Sequence, residues 1–202
     1  MRTKVIFAVF LGAFFVFSLQ ARNLNGTGSF GITLTGIGVN TAYHVGSEPI
    51  GMAFGNYNGN GFFSIGAVYL RPIFQQMDFE TGIEIARYNF RYNPVLGVGR
   101  RELGINMITI PFMLRYYFWR GVFVNGGLLL DFDLTDNIQL GNQSGFGATA
   151  GIGVHYDFRT LPIGLFVNPY LRQHSLILFS DHIYPARLLD AGLRLGLVYN
   201  FQ

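Results

Sequence analysis

From Leu189 to Phe201 the chain sorts its residues two by two. Leu189, Ala191, Leu193, Leu195, Leu197, Tyr199 and Phe201 are apolar or aromatic, while Asp190, Gly192, Arg194, Gly196 and Asn200 fall between them, with Val198 the one exception. A helix cannot separate residues at this period; a β-strand does so because successive side chains leave the backbone on opposite faces. A second run does the same, with Phe146, Ala148, Ala150, Ile152, Val154, Tyr156 and Phe158 opposing Gly147, Thr149, Gly151, Gly153, His155 and Asp157.

The pattern recurs along the chain. Val122, Val124, Leu128, Leu130 and Phe132 oppose Asn125, Gly127, Asp131 and Asp133, and Ile108, Ile110, Phe112, Leu114, Tyr116 and Phe118 oppose Thr109, Pro111, Met113, Arg115 and Tyr117. Phe79, Thr81, Ile83 and Ile85 oppose Asp78, Glu80, Gly82 and Glu84, and Ile163, Leu165, Val167 and Leu171 oppose Phe166, Asn168, Tyr170, Arg172 and His174. Segments 61–71 and 28–40, the latter with a shift near Gly36, complete a set of eight, each near the roughly 9–11 residues that a tilted spanning strand requires. The connections (41–60, 71–76, 92–103, 119–121, 134–144, 159–162 and 175–186) alternate long and short, as in a barrel with short periplasmic turns and longer outer loops.

Composition says which solvent such strands face. Only 12% of the 202 residues are charged, about half the share of a soluble domain. The single lysine is Lys4, so the solvated lysine surface of a soluble protein is missing. Met1–Lys4 forms a short positive stretch, and Val5–Ser18 an apolar run too short to span as a helix. We expect a signal peptide at 1–21, cut after Ala21, and a barrel domain at 22–202. Removing Arg2 and Lys4 from the 14 Lys+Arg leaves 12 cations against 11 acids; with no basic runs, nucleic acid is not an expected partner. The absence of cysteine excludes disulfides, thiolate metal sites and a lipidated cysteine anchor. Beyond residue 21 no apolar run is long enough for a membrane helix, and a closed barrel is the other structure that satisfies its backbone in hydrocarbon.

A soluble barrel would turn its apolar face inward. Three features favour the reverse. The polar faces are rich in Gly, Thr and Asn rather than Lys and Glu. The apolar faces end in aromatics, with Tyr116, Phe118, Trp119, Tyr156, Phe158, Tyr199 and Phe201 on the periplasmic side and Phe90 and Phe132 toward the other, as membrane interfaces prefer. The inward faces carry both signs of charge: Glu80, Glu84, Asp131, Asp133, Asp157 and Asp190 with Arg115, Arg172 and Arg194. Buried charges persist when paired, and an eight-stranded lumen is just wide enough for side chains to fill. These residues are expected to form a structural ion network. In the outer loops, Arg91, Arg100 and Arg101 are candidates for pairing with lipopolysaccharide phosphates.

The stretch Ile105–Phe118, with Ile110-Pro111, the run Phe112–Leu114, Arg115 and Tyr116, resembles the signature strand of the small outer-membrane β-barrel family that includes PorT-like and OmpX-like proteins. Glu84 matches that family's inward acid, whereas Thr109 stands where its members carry Glu. The resemblance covers about 28–201 and implies an all-β, eight-stranded antiparallel up-and-down transmembrane barrel in the outer membrane, lipids as its surroundings, and support of secretion as one role. The terminal Tyr199-Asn-Phe201-Gln202 is similar to the aromatic strand that barrel-assembly machinery recognises, displaced by one residue. Pro111 and Pro169, which donate nothing to a ladder, imply bulges or local irregularity.

Catalytic sets are sparse. His174 and Ser175 are neighbours and so should face opposite ways in a strand, and His44, His155, His174 and His182 lack metal-ligand spacing. No enzyme activity, cofactor or metal is expected. The reading is a non-enzymatic outer-membrane barrel with a structural, adhesion or secretion-support role and an unidentified envelope partner. The alternatives are a narrow transport pore and a lipid-modifying barrel enzyme. On the facing assignment, Leu195→Arg should be costly and Gly196→Ser mild.

Overall fold

The computed structural model describes residues 28–44, 56–93, 101–135, 142–179 and 186–201; the signal-peptide expectation lies outside them. Eight strands follow in chain order: β1 (Gly28–His44), β2 (Asn56–Phe74), β3 (Met77–Asn93), β4 (Arg101–Trp119), β5 (Val122–Asp133), β6 (Gly145–Asp157), β7 (Ile163–Leu178) and β8 (Ala186–Phe201). Each is antiparallel to its neighbours in sequence, and β1 pairs with β8 from Gly28↔Phe201 to His44↔Ala186, closing the ring. Closure leaves no sheet edge unpaired, which is what hydrocarbon demands of a sheet.

The strands run from 12 to 19 residues, longer than expected from the alternation. The excess is largest in β2, β3 and β4, whose ends continue well beyond the alternating stretches. Both ends of the described chain sit at the rim of the short connections 75–76, 120–121 and 158–162, the rim expected from the sequence to be periplasmic. The β4–β5 hairpin shows why these turns are tight. Arg120 (φ 22) and Gly121 (φ 90) both take positive φ, the conformation that two-residue hairpins use because its twist matches the strands. A Cβ on Gly121 would meet the His155 carbonyl oxygen at 2.3 Å.

The outward face carries Phe30, Ile32, Leu34, Phe63, Ile65, Ile83, Ile85, Phe112, Leu114, Leu128, Ile152, Leu165, Leu195 and Leu197, all exposed. The register shifts at Thr35/Ile37, beside Gly36. Neither Pro111 nor Pro169 produces a bulge, but each brings the expected local irregularity by interrupting one ladder: β3–β4 pairing skips from Thr81↔Phe112 to Glu84↔Thr109, and β6–β7 pairing from Gly151↔Tyr170 to Val154↔Val167. The β4–β5 register runs through Pro111↔Leu129 and the β7–β8 register through Pro169↔Leu193. Asn168 covers the missing donor: its Nδ2 donates to Ile152 O at 3.0 Å on the neighbouring strand.

Inside, the lumen is layered rather than uniformly polar. Next to the rim of the short connections, Val68, Leu70, Phe123, Phe166 and Val198 pack together, with Tyr117 against them. Charged and amide groups fill the middle. Toward the other rim lies a second apolar cluster of Ala42, Phe62, Ala86, Tyr88, Phe90, Ile105, Met107, Tyr170 and Leu188. Phe90 therefore corrects the girdle expectation: it is 1% exposed and points inward, because the apolar face of β3 changes sides above Ile85.

Candidate functional site

The pleat of β3 places Glu80 and Glu84 four residues apart on one inward face, and the ring brings cations to them from three other strands. Glu80 lies between two arginines. Arg115 of β4 donates from Nε (3.0 Å) and Nη2 (2.6 Å) to its Oε2, and Arg194 of β8 donates from Nη2 to its Oε1. Side-chain exposure is 0% for Arg115 and Glu80 and 3% for Arg194, so the charges are stripped of water and each depends on the others. Arg172 of β7 grips Glu84 with both terminal nitrogens, the two-pronged match of guanidinium to carboxylate that lysine cannot make.

Aromatic and amide groups complete this layer. The Arg115 guanidinium sits 4.1 Å from the Phe123 ring centroid and 4.5 Å from that of Phe166, and Arg172 sits 4.2 Å from Tyr170. Ring faces so placed attract a desolvated cation. Arg194 also donates to Asn168 Oδ1 at 3.0 Å, and Asn168 and Asn125 exchange hydrogen bonds across the lumen at 3.1 and 3.2 Å. Gly151 makes room for that pair: a Cβ there would lie 2.7 Å from Asn125 Oδ1 and from Asn168 Nδ2.

Asp131 and Asp190 are joined by a residue that the spacing of histidines gave no reason to single out. His174 Nδ1 stands 2.9 Å from Asp131 Oδ2, and its Nε2 stands 3.3 Å from Asp190 Oδ2. Tyr88 donates to Asp190 Oδ2 at 2.6 Å and Thr109 to Asp131 Oδ1 at 2.7 Å. Each of the five strands that carry these groups (β3, β4, β5, β7 and β8) is non-adjacent to at least one other, so only ring closure brings them together. The alternation does place His174 on the inward face of β7; its two acidic partners are what chain order hides.

Asp133 stands apart from this set. It lies half-buried at the end of β5, where its carboxylate accepts from Thr135 N (2.8 Å) and Gln143 N (3.0 Å), ordering the connection to β6. Asp157 sits near the rim of the short connections, accepting from Asn200 Nδ2 at 2.7 Å and lying 3.3 Å from His155 Nε2. Arg91 is exposed on β3, Arg100 lies outside the described residues, and Arg101 pairs by its backbone with Tyr92.

The expectation that His174 and Ser175 face opposite ways is overturned. Both are fully buried, because Ser175 adopts φ 57 at the register shift between β6 and β7 and so repeats the inward direction. Even so, the two do not form a nucleophile–base pair. The Ser175 hydroxyl donates to the Gln143 carbonyl at 2.9 Å and lies 3.0 Å from Gln143 Oε1. The lumen contents are chemically suited to holding strands together: paired ions, capped carboxylates and rings.

No family model matches the sequence, and no curated protein matches it. Solved structures do. The chain is similar to the outer membrane protein AlkL, determined by solid-state NMR in DMPC lipid bilayers, with a TM-score of 0.57 and 15% identity over 88% of this chain and 92% of that one. It is also similar to the outer membrane protein OprG from Pseudomonas aeruginosa, determined by crystallography, with a TM-score of 0.53 and 10% identity over 88% of this chain and 97% of that one. At these identities the likeness is one of fold: eight antiparallel up-and-down strands in a ring, the architecture of small outer-membrane barrels.

Proposed function

We propose that this chain is an integral outer-membrane protein with a sealed lumen, serving a structural, adhesive or secretion-supporting role rather than an enzymatic or conducting one. The observation that carries the reading is the charge layer, in which Glu80, Arg115, Asp131 and His174 keep no exposed side-chain surface between two apolar layers. An ion passing through would have to break pairs that are expensive to break. The work of such a protein then falls to its outer loops and lipid-side wall, with the barrel as a rigid mount. The match of Ile110-Pro111, Arg115 and Glu84 to the small PorT-like barrels supports a place in secretion. The outward Tyr199 and Phe201 of β8 suit recognition by barrel-assembly machinery.

Planar-bilayer recording on the refolded full chain tests the sealed lumen. The expected result is no discrete conductance; steady single-channel steps would favour a narrow pore instead. Membrane fractionation with heat-modifiable gel mobility tests the location, and recovery of the processed chain in the soluble periplasmic fraction would refute it.

A further inference from the structure

The wall formed by β2, β3 and β4 changes polarity at one level. On the lipid side of β3, Ile83 and Ile85 give way to Arg87, Asn89 and Arg91, while its inward side changes from Glu80 and Glu84 to Ala86, Tyr88 and Phe90. On β4 the outward residues change from Phe112 and Ile108 to Asn106 and Glu102, and the inward ones from Thr109 to Met107 and Ile105. The switch shares one register, since Ile85 pairs with Ile108 and Arg87 with Asn106, and Phe63 of β2 lies opposite Arg87. Below this line the wall suits hydrocarbon. Above it the wall is built like a water-soluble barrel, apolar within and polar without. The line therefore marks where the acyl chains of the outer leaflet end and the headgroups begin.

We propose that the outward face of β3 at this line is a binding site for the phosphorylated headgroup of an outer-leaflet glycolipid, with Arg87 as its principal cation and Arg91 as its second. This rests on the outer-membrane placement above. Arg87 is exposed at the boundary, flanked in register by Phe63 and Asn106 rather than by an acid. Its long stem can lie on the apolar band while the guanidinium reaches the phosphate layer, where its fork fits phosphate oxygens two at a time. Arg91 lies four residues on, about 13 Å farther along the strand, within the span of a headgroup that carries more than one phosphate. Glu102 faces Arg91 across the β3–β4 ladder and weakens its pull on an anion, so Arg87 should dominate. Asn58, Asn89 and Asn106 add neutral donors around the two cations.

The test is native mass spectrometry of the folded full-length protein in detergent, titrated with bis-phosphorylated lipid A and, in parallel, with the same glycolipid after dephosphorylation. The parent should bind lipid A at least about tenfold more tightly than the dephosphorylated form, the scale of a charge-assisted hydrogen-bonded pair. Arg87→Gln should remove most of that preference, Arg91→Gln a smaller part, and Arg71→Gln, exposed near the periplasmic end of β2, none. Unchanged heat-modifiable mobility would show that each variant is folded. Equal binding of both glycolipids by the parent, an unaltered Arg87→Gln, or an equal loss in Arg71→Gln would each overturn the proposal. Soluble localisation would instead show up in the fractionation assay, independently of these outcomes.

Discussion

Replacing Glu80 by glutamine should expose how much the barrel depends on its central charge layer. The substitution keeps the side chain's shape and one acceptor oxygen but removes the negative charge shared by Arg115 and Arg194. In the parent, Glu80 Oε2 accepts from Arg115 at 3.0 and 2.6 Å, and Oε1 accepts from Arg194. The hydrogen-bond and ring partners that remain are neutral: Asn168 Oδ1 for Arg194, and the Tyr117 hydroxyl with the Phe123 and Phe166 rings for Arg115. Breaking a buried pair by removing one member typically costs about 3–5 kcal/mol, because the remaining charge is left buried without compensation. Two guanidinium groups are orphaned here, and the amide group of glutamine would point a donor at one of them. A loss of about 3 kcal/mol or more is expected, against less than about 1 kcal/mol for an exposed pair. Equilibrium urea unfolding in lipid vesicles measures it, read by the fluorescence of Trp119, the chain's single tryptophan, which is exposed on the outside of the barrel. Adding Arg194→Gln to Glu80→Gln should recover part of the loss, since one of the two uncompensated cations goes with it. A Glu80→Gln variant within about 1 kcal/mol of the parent, or a double variant worse by the full sum of the singles, would refute the coupling of these three residues.

The facing assignment predicts that Leu195→Arg costs about 2–4 kcal/mol near the bilayer midplane, measured in the same vesicle unfolding assay. Gly196→Ser should also be destabilising, by about 1–3 kcal/mol through overpacking, because a Cβ there meets the Phe166 ring at 2.2 Å; Gly36→Ala, which meets nothing within 4 Å, is the neutral comparison. Tyr88→Phe should lower stability by about 1–3 kcal/mol, the usual cost of leaving a buried acceptor unmatched, since it removes the 2.6 Å donor to Asp190. A Tyr88→Phe variant as stable as the parent would show that Asp190 is satisfied without it.

Gly196 illustrates where reading along the chain fails. Its inward direction follows from alternation alone, and an inward position in a lumen of unknown content looks tolerant. The ring that fills the space comes from β7, and nothing local announces that Phe166 rather than water lies opposite. Ser175 fails for a related reason: period-2 logic holds only while the backbone stays extended, and one residue at φ 57 turns a neighbour's side chain to the same face. Phe90 fails because the alternation at the end of β3 continues unbroken while the solvent on its two sides is exchanged. Period reports that two faces exist, not which medium each meets.

Strand number, order of short and long connections, and the division of each strand into two faces, with Leu195 or Ile152 on one and Arg194 or Gly151 on the other, are local properties, written in side chains two residues apart, and the chain carries them whatever it touches. Pairing is different. Arg115 could be assigned to the interior from its own strand, but that its carboxylate is Glu80 and that the same carboxylate serves Arg194, 114 residues away, depends on the closure of β1 onto β8 and on the stagger of every ladder between. The same holds for His174 between Asp131 and Asp190. Ion pairing acts over a few ångströms, and only the closed ring brings these distant parts of the chain within that range.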